Sequence, residues 1–289
     1  MTLDDSWFTE IYDEQGAAFS LSTTSRLHEE RSTYQHIEVF ETRGFGRLLT
    51  LDGMVMLTGR DNFIYHEMMT HPALFSHAAP KKVLIIGGGD CGCLLEVLKH
   101  PGVERADLAD IDERVTRVCE QYFPELCASN DDPRAFLNFA DGIKWVEDAP
   151  GGAYDVIIID STDPVGQAAR LFAQEFYAAC FHALGADGIL VVQSESPLFH
   201  GELIHAIAGR MRGAGFASTE SLYYPQCSYP SGWWSATMAR RDGRRHWFRE
   251  SDAGAKRFAT RYYNAGIHRA ALTEPEFMAQ GAGRPDAPR

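Results

Sequence analysis

The composition of this 289-residue chain is that of an ordinary globular protein, with enough material for one large domain or two modest ones. It is 45% hydrophobic and 23% charged, which excludes disorder as its dominant state. No apolar run approaches the roughly 20 residues of a membrane span. The acidic first residues also lack the basic and then apolar pattern of a signal peptide. We therefore expect a cytoplasmic protein without membrane contact.

Charge is distributed unevenly along the chain. Residues 240–289 hold 11 basic and 6 acidic residues, a net of +5. The preceding residues 1–239 hold 16 basic and 34 acidic residues, a net of −18, and the total is −13. An acidic body repels phosphate backbones and attracts cations. We expect no nucleic-acid partner and favour a small polycation instead.

The first 60 residues have the pattern of β structure. Thr33–Phe40 partly alternates between apolar and polar residues. Two further predicted strands, Arg47–Leu51 and Met54–Leu57, flank Asp52-Gly53, a dipeptide typical of a two-residue hairpin. Apolar residues then recur with helical spacing over residues 62–76, which predicts a helix.

From Lys82 onward, short apolar strands alternate with helical segments. The predicted strands and helices are, in chain order, Val83–Ile86, Cys93–Lys99, a strand ending at 107–112, Glu113–Tyr122, Tyr154–Asp160, Leu171–Leu184 and Gly188–Gln193. Alternation of this kind, with wholly apolar strands, indicates a parallel, doubly wound sheet. Gly215–Tyr224 and Trp233–Arg240 are expected to close it as an antiparallel pair.

The first of these strands runs directly into a glycine-rich loop. Gly87-Gly88-Gly89-Asp90-Cys91-Gly92 matches the GxGxxG pattern between a strand and a helix. In an open α/β sheet this turn lies at the carboxyl edge, where ligands bind. Asp110 and Asp112 end the next strand, where a carboxylate can accept hydrogen bonds from ribose hydroxyls. The pattern indicates an adenosine-containing ligand, although a tight turn that needs glycines for backbone reasons would show the same motif.

The identity of the nucleoside depends on Asp90. NAD would place its pyrophosphate against this loop, where an aspartate would repel it. S-adenosylmethionine would place a sulfonium and an amino acid tail there, and Asp90 would pair with the ammonium of that tail but oppose its carboxylate. Decarboxylated S-adenosylmethionine carries the ammonium without the carboxylate and suits Asp90 better than either.

A second acidic loop follows the strand that ends at residue 160. Asp160 and Asp163 lie three residues apart at the same sheet edge, and Asp141 precedes this strand, placed to reach an adenine amino group. A single acidic residue at such a position often only caps the next helix. Together with Asp90 and Asp110, however, these residues converge on one crevice. They favour an anionic pocket for a cationic amine and a sulfonium.

An ordered set of short motifs resembles the spermidine synthase family, the polyamine aminopropyltransferases. The resemblance runs from about Trp7 to Arg240. Its motifs are Tyr34-Gln35, Tyr65-His66-Glu67-Met68-Met69-Thr70-His71-Pro72, Gly87-Gly88-Gly89-Asp90, Glu96-Val97-Leu98-Lys99-His100, Asp110-Ile111-Asp112, Tyr122-Phe123-Pro124, Asp132-Pro133-Arg134, Asp141-Gly142, Tyr154–Pro164, Gln193 and Tyr229-Pro230-Ser231-Gly232. Each motif is common by itself, whereas the ordered set is specific.

This resemblance implies an α/β fold class, with a Rossmann-like, methyltransferase-like doubly wound sheet and a small N-terminal β domain. The expected division is an N-terminal β-strand domain at 1–60, a Rossmann-like catalytic domain at 61–245, and a C-terminal helical extension with a frayed tail at 246–289. Family members form dimers or tetramers, so we expect a homodimer or homotetramer.

The resemblance also implies a reaction and a set of site residues. Family members transfer an aminopropyl group from decarboxylated S-adenosylmethionine, a co-substrate, to a polyamine acceptor such as putrescine, and release methylthioadenosine. No cofactor and no metal is expected. Asp160 would be the catalytic acid–base. The residues expected to bind the amine are Tyr65, Asp163, Gln193 and Tyr229, and those expected to hold the donor are Gln35, His66, Asp90, Asp110 and Asp141.

Two alternatives remain open at this point. An S-adenosylmethionine-dependent methyltransferase would share the sheet and the nucleoside pocket, but it would bind the carboxylated cofactor, which Asp90 disfavours. A non-catalytic nucleoside- or polyamine-binding protein would bind without forming product. Asp160, Tyr65 and Asp163 argue against that loss of turnover, whereas Cys91 favours it because it adds bulk to a loop in which the family usually has glycine.

Overall fold

A computed structural model describes residues 3–162 and 166–280 and contains two separate β-sheets. The first sheet is antiparallel and consists of β1 (Trp7–Tyr12), β2 (Ala17–Arg31), β3 (His36–Thr42), β4 (Arg47–Leu51) and β5 (Met54–Thr58), in that order. Asp52 and Gly53 both have positive φ, 51° and 81°, as a tight hairpin between β4 and β5 needs. The predicted β structure and its hairpin are confirmed.

Helix α1 (Asn62–Ser76) follows the first sheet and agrees with the predicted range. Nearly all of its residues are buried, so it packs on several sides rather than along one stripe. Pro72 lies inside it. This helix carries Tyr65 and His66 and therefore matters for the site described below.

The second sheet has seven strands in the order β11-β12-β10-β9-β6-β7-β8. Its strands are β6 (Lys82–Gly87), β7 (Arg105–Asp110), β8 (Ala135–Phe139), β9 (Tyr154–Asp160), β10 (Leu184–Gln193), β11 (Ser218–Pro225) and β12 (Trp233–Arg240). The five strands from β10 to β8 are parallel, and β12 and β11 continue the sheet antiparallel at one edge. The doubly wound sheet with a closing antiparallel pair is thus confirmed.

The helices after α1 cover both faces of this sheet. They are α2 (Gly92–Leu98), α3 (Glu113–Tyr122), α4 (Gly142–Glu147), α5 (Gln174–Ala183), α6 (Gly201–Gly213), α7 (Glu250–Ala255), α8 (Ala265–Ala271) and α9 (Glu276–Gln280). In β6, Val83 and Ile85 belong to one apolar core, whereas Leu84 and Ile86 belong to another on the opposite face. Burial on both faces explains why the strand is wholly apolar.

Some elements differ from the sequence-based expectation. Strand β8, α4 and α6 were not predicted, because the first is a half-buried edge strand, the second has only six residues and the third contains Gly209. Strand β7 ends at Asp110 rather than Asp112, since Asp112 instead caps α3. Within the ranges that the structure describes, no helix is both long and apolar enough to cross a bilayer.

Candidate active site

The carboxyl ends of β6, β7 and β9 bring the glycine loop next to two aspartates. The Gly88 N–H donates to the Asp160 carbonyl at 2.7 Å. A Cβ at Gly88 would stand 2.8 Å from Oδ2 of Asp160, and one at Gly89 would stand 2.9 Å from Oδ2 of Asp110. These two positions therefore need glycine because the carboxylates approach the loop so closely.

Asp160 is held by Tyr65 of α1. The tyrosine hydroxyl donates to Oδ1 at 2.7 Å, whereas the buried Oδ2 has no hydrogen-bond partner in the described part of the chain. Burial, and then the negative charge of Asp90, raise the pKa of Asp160, while the charge of His66 and hydrogen bonds from Tyr65 and Cys93 act against that rise. A buried carboxyl group with a raised pKa and one unoccupied oxygen is suited to accept a proton.

Asp90 of the glycine loop forms an ion pair with His66. Their Oδ2 and Nε2 atoms are 3.0 Å apart, and Oδ1 of Asp90 accepts the Gly92 N–H at 2.7 Å. Burial alone would lower the pKa of His66, but the charge and hydrogen bond of Asp90 raise it to about 9. The sequence did not reveal this pairing, in which the charge of the imidazolium nearly balances that of the aspartate.

The other residues expected to hold the donor are also bound to protein groups. Asp110 accepts the Asp112 N–H at 2.7 Å, and burial raises the pKa of Asp110 to about 6. Gln35 donates from Nε2 to Oδ2 of Asp112 at 2.8 Å. Asp141 is exposed and caps α4 by accepting the Ile143 N–H at 2.9 Å. Its contacts here are those of a helix cap, and its contact with adenine stays a prediction.

A narrow slot beside Asp160 brings together three of the four residues expected to bind the amine. It is lined by Glu10, Met54, Val55, Met56, Tyr65, Ser161, Thr162, Gln193, Tyr229, Pro230 and Trp234. The Tyr65 and Tyr229 rings meet edge to face at 5.7 Å, and the Tyr229 hydroxyl donates to the Met56 carbonyl at 2.5 Å. Gln193 is buried and its Nε2 has no partner among the described residues. The fourth residue, Asp163, lies outside the described residues.

Sequence reasoning missed two glutamates, of which Glu10 lines the slot and Glu195 lies near it with Oε2 3.3 Å from Nδ1 of His200. Glu10 of β1 lines the slot and accepts the Val55 N–H at 2.8 Å. Burial raises the pKa of Glu10 to about 7, against the effect of that hydrogen bond and with a contribution from Glu195. Glu195 follows β10, is buried and has a positive φ of 69°. Every second residue of β1 lies on the same face, so Glu10 shares a face with Phe8 and Tyr12. A carboxylate on the same face as two aromatic rings was the signal available in the sequence.

Cys91 does not line the slot. It has a positive φ of 67°, its side chain is fully buried in the core, and its thiol donates to the Gly89 carbonyl at 3.7 Å. The bulk that this residue adds to the glycine loop is therefore accommodated in the core.

Two family models match consecutive parts of the chain. The spermidine synthase tetramerisation domain matches residues 6–59, and the spermine/spermidine synthase domain matches residues 62–247. Polyamine aminopropyltransferases of Alkalilimnicola ehrlichii and Thioalkalivibrio sulfidiphilus are 59% and 61% identical to this chain. Each alignment covers 96% of this chain, with 97% and 98% of the relative.

Solved structures agree with these sequence relatives. A crystal structure of spermidine synthase in complex with the transition state analogue AdoDATO superimposes with a TM-score of 0.91 at 36% identity, over 97% of this chain and 96% of the other. Spermidine synthase from Thermotoga maritima gives a TM-score of 0.89 at 36% identity, over 95% of this chain and 93% of the other. The similarity therefore extends over both sheets and the slot between them.

Proposed function

The chain belongs to the spermine/spermidine synthase family and is a polyamine aminopropyltransferase, and on this premise we propose that it transfers the aminopropyl group of decarboxylated S-adenosylmethionine to putrescine. The observation that carries this proposal is the carboxyl group of Asp160, which Tyr65 holds beside a slot that Tyr65 and Glu10 both line. The products are spermidine and methylthioadenosine. Decarboxylated S-adenosylmethionine is a co-substrate and itself carries the aminopropyl group that is transferred.

The chemistry requires a deprotonated amine and an aligned donor. An alkylamine has a pKa of about 10, so the attacking nitrogen must lose a proton. That nitrogen attacks the methylene carbon beside the sulfonium, the carbon–sulfur bond breaks with its electrons moving to sulfur, and methylthioadenosine leaves. Asp160 accepts the proton of the amine on Oδ2, the oxygen without a partner in the described residues. The Tyr65 hydroxyl keeps the other oxygen in place.

We assign the donor to the sheet edge at the glycine loop. Asp90 and His66 would face its aminopropyl group and sulfonium, and Asp110 its ribose. Asp110 lies close to the loop because Gly89 has no side chain. Gln35 and Asp141 would complete this donor site, Asp141 at the adenine. Holding the reacting carbon in line with the attacking nitrogen is the main requirement of such a displacement.

We assign the acceptor to the slot. Its aromatic walls, Tyr65, Tyr229 and Trp234, suit the methylene chain of a diamine. Gln193 and Asp163 would bind the amine near Asp160. Glu10 then supplies negative charge for the second ammonium, because it lines the slot and burial leaves its carboxylate poorly solvated there.

The assembly and location follow the same reasoning. Because residues 6–59 match a tetramerisation domain, we propose that the chain forms a homo-oligomer, either a dimer or a tetramer. A cytoplasmic location fits a biosynthetic enzyme that acts on small soluble substrates. The negative charge of residues 1–239 favours cationic substrates over nucleic acid.

Mass spectrometry of the reaction products tests the proposed function. The purified protein is incubated with decarboxylated S-adenosylmethionine and with putrescine, cadaverine, agmatine or spermidine, and Asp160→Asn serves as the matched control. We expect methylthioadenosine and spermidine from putrescine, and donor binding without turnover in the variant. Donor binding without product from any amine would favour the non-catalytic alternative. Methyl transfer from S-adenosylmethionine would favour the methyltransferase, and unchanged turnover in Asp160→Asn would refute the assignment of the base.

A further inference from the structure

Helix α1 is attached to the C-terminal part of the chain through a buried carboxylate. Glu67, which is 1% exposed, follows Tyr65 and His66 in the helix. Its Oε1 accepts the backbone N–H of residue 261 at 2.7 Å, and its Oε2 accepts those of residues 262 and 263 at 2.9 and 2.7 Å. A carboxylate that accepts three backbone N–H groups forms strong, charge-assisted hydrogen bonds. They fix this segment to the end of α1 that bears the site residues.

Arg249, which precedes this segment in the chain, binds the other end of α1. Arg249 donates from its guanidinium to the carbonyls of Leu74 at 3.1 Å and His77 at 2.9 Å, and from its backbone N–H to the carbonyl of Phe75 at 2.8 Å. The last carbonyls of a helix have no partner within the helix, and a cation there is favourable. Residues 249–263, which we call the clasp, therefore hold α1 at both ends. The clasp lies beyond residue 247, where the match to the synthase family model ends.

The point between the two attachments is a weak one in α1. Pro72 has no N–H and cannot donate to the carbonyl of Met68, so the helix loses one of its internal hydrogen bonds there. Prolines inside helices are the usual sites of kinks. Glu67 is attached on the N-terminal side of Pro72, and Leu74 to His77 are attached on its C-terminal side. The clasp thus spans the position at which α1 would bend.

We propose that residues 249–263 brace α1 across Pro72 and that Glu67 is a positioning residue, which keeps Tyr65 in hydrogen-bond contact with Asp160. A bend at Pro72 would move the N-terminal turns of α1 relative to β9, and the 2.7 Å contact between Tyr65 and Asp160 would be lost. This inference rests on the proposed function, since it assigns Glu67 an effect through the residues that act on the amine.

A double-mutant cycle on the full-length protein tests the brace. Glu67→Gln removes the charge at one attachment, Arg249→Met removes the guanidinium at the other, and each is also combined with Tyr65→Phe. Glu276→Gln is the matched control, because Glu276 is exposed and lies outside the clasp. The measurements are kcat and KM with both substrates, melting temperature, and hydrogen exchange of the amides of residues 261–263.

We expect Glu67→Gln to lower kcat about tenfold with KM changed less than about threefold, and to lower it less than about twofold once Tyr65→Phe is present. Arg249→Met should lower kcat in the same way but by a smaller factor. It provides the test of the brace if Glu67→Gln does not fold. The control should keep full activity. A merely structural role would instead lower kcat by the same factor in both backgrounds, and that result would overturn the brace while leaving the proposed reaction intact. Full activity of Tyr65→Phe alone would overturn both the role of Tyr65 and the brace.

Discussion

Replacing Glu10 with glutamine tests whether the slot recognises a second ammonium group. The substitution keeps the size of the side chain and removes its charge. In the free protein, burial raises the pKa of Glu10 from 4.5 to about 7. The ionised carboxylate is therefore poorly solvated in the slot, and the second ammonium of a bound diamine would provide a counter-charge.

The pKa of Glu10 sets the size of the effect. A rise from 4.5 to about 7 corresponds to about 3 kcal/mol, at about 1.4 kcal/mol for each pH unit. This figure is an upper limit for what the ammonium can recover, because part of Glu10 stays in contact with water. We expect Glu10→Gln to lower kcat/KM for putrescine by about 10- to 100-fold, with the KM for the donor unchanged.

The pH dependence provides a second measurement of the same interaction. Glu10 is ionised above pH about 7 and protonated below it, whereas the diamine keeps its charge throughout. The wild-type kcat/KM for putrescine should therefore fall as the pH drops through about 7. Methylthioadenosine formation between pH 6 and 9 measures this limb, which Glu10→Gln should lack.

Butylamine, which has no second ammonium, is the matched substrate. Wild type and Glu10→Gln should use it equally well, since the missing charge has nothing to bind. A variant that loses as much activity with butylamine as with putrescine would show that Glu10 only shapes the slot, and the reasoning from charge would be wrong.

Three further changes test other parts of the site and the core. Asp90→Asn should lower the preference for the decarboxylated over the carboxylated donor by about 3- to 10-fold in calorimetric titrations. The loss is modest because the charge of His66 already balances that of the aspartate. An unchanged ratio of the two donor affinities would refute the argument that Asp90 repels the carboxylate. Gly92→Ala would place a Cβ 2.2 Å from the His66 ring and should destabilise the protein by about 1–3 kcal/mol in thermal melts, whereas Gly102→Ala, with its nearest contact at 3.8 Å, should be nearly neutral. Burial lowers the pKa of His100 to about 2, so the unfolded chain takes up a proton below pH about 6.5 that the folded chain does not. The free energy of unfolding should therefore fall between pH 6.5 and 5, and His100→Phe should weaken that fall.

Several expectations stay predictions. They are the domain division at residues 60 and 245 and the roles of all the residues assigned to the donor, the amine and the proton transfer. The structure shows why the sequence alone does not separate the two possible roles of Asp141. An aspartate at the start of a helix has the same sequence pattern whether it only caps that helix or also binds a ligand.

Local sequence determined the secondary structure elements and the chemistry of the sheet edge. The hairpin at Asp52-Gly53, the helix 62–76 and the strand that ends in the glycine loop depend on turn residues and on apolar periodicity over a few positions. The aspartates at strand ends were predictable for the same reason, since parallel strands bring their carboxyl ends to one edge. Motif order along the chain was sufficient to indicate the family.

Only the tertiary structure decided how these groups are paired. Tyr65 meets Asp160 across 95 residues of chain, and Glu67 meets residue 261 across 194. The partner of Asp90 and the position of Glu10 likewise depend on how α1 and the first sheet pack against the second. A pattern of neighbouring residues carries no information on such contacts, because burial and charge pairing are set by elements that are distant in sequence. The upward shifts in the pKa of His66, Glu10 and Asp160 therefore became apparent only in the folded chain.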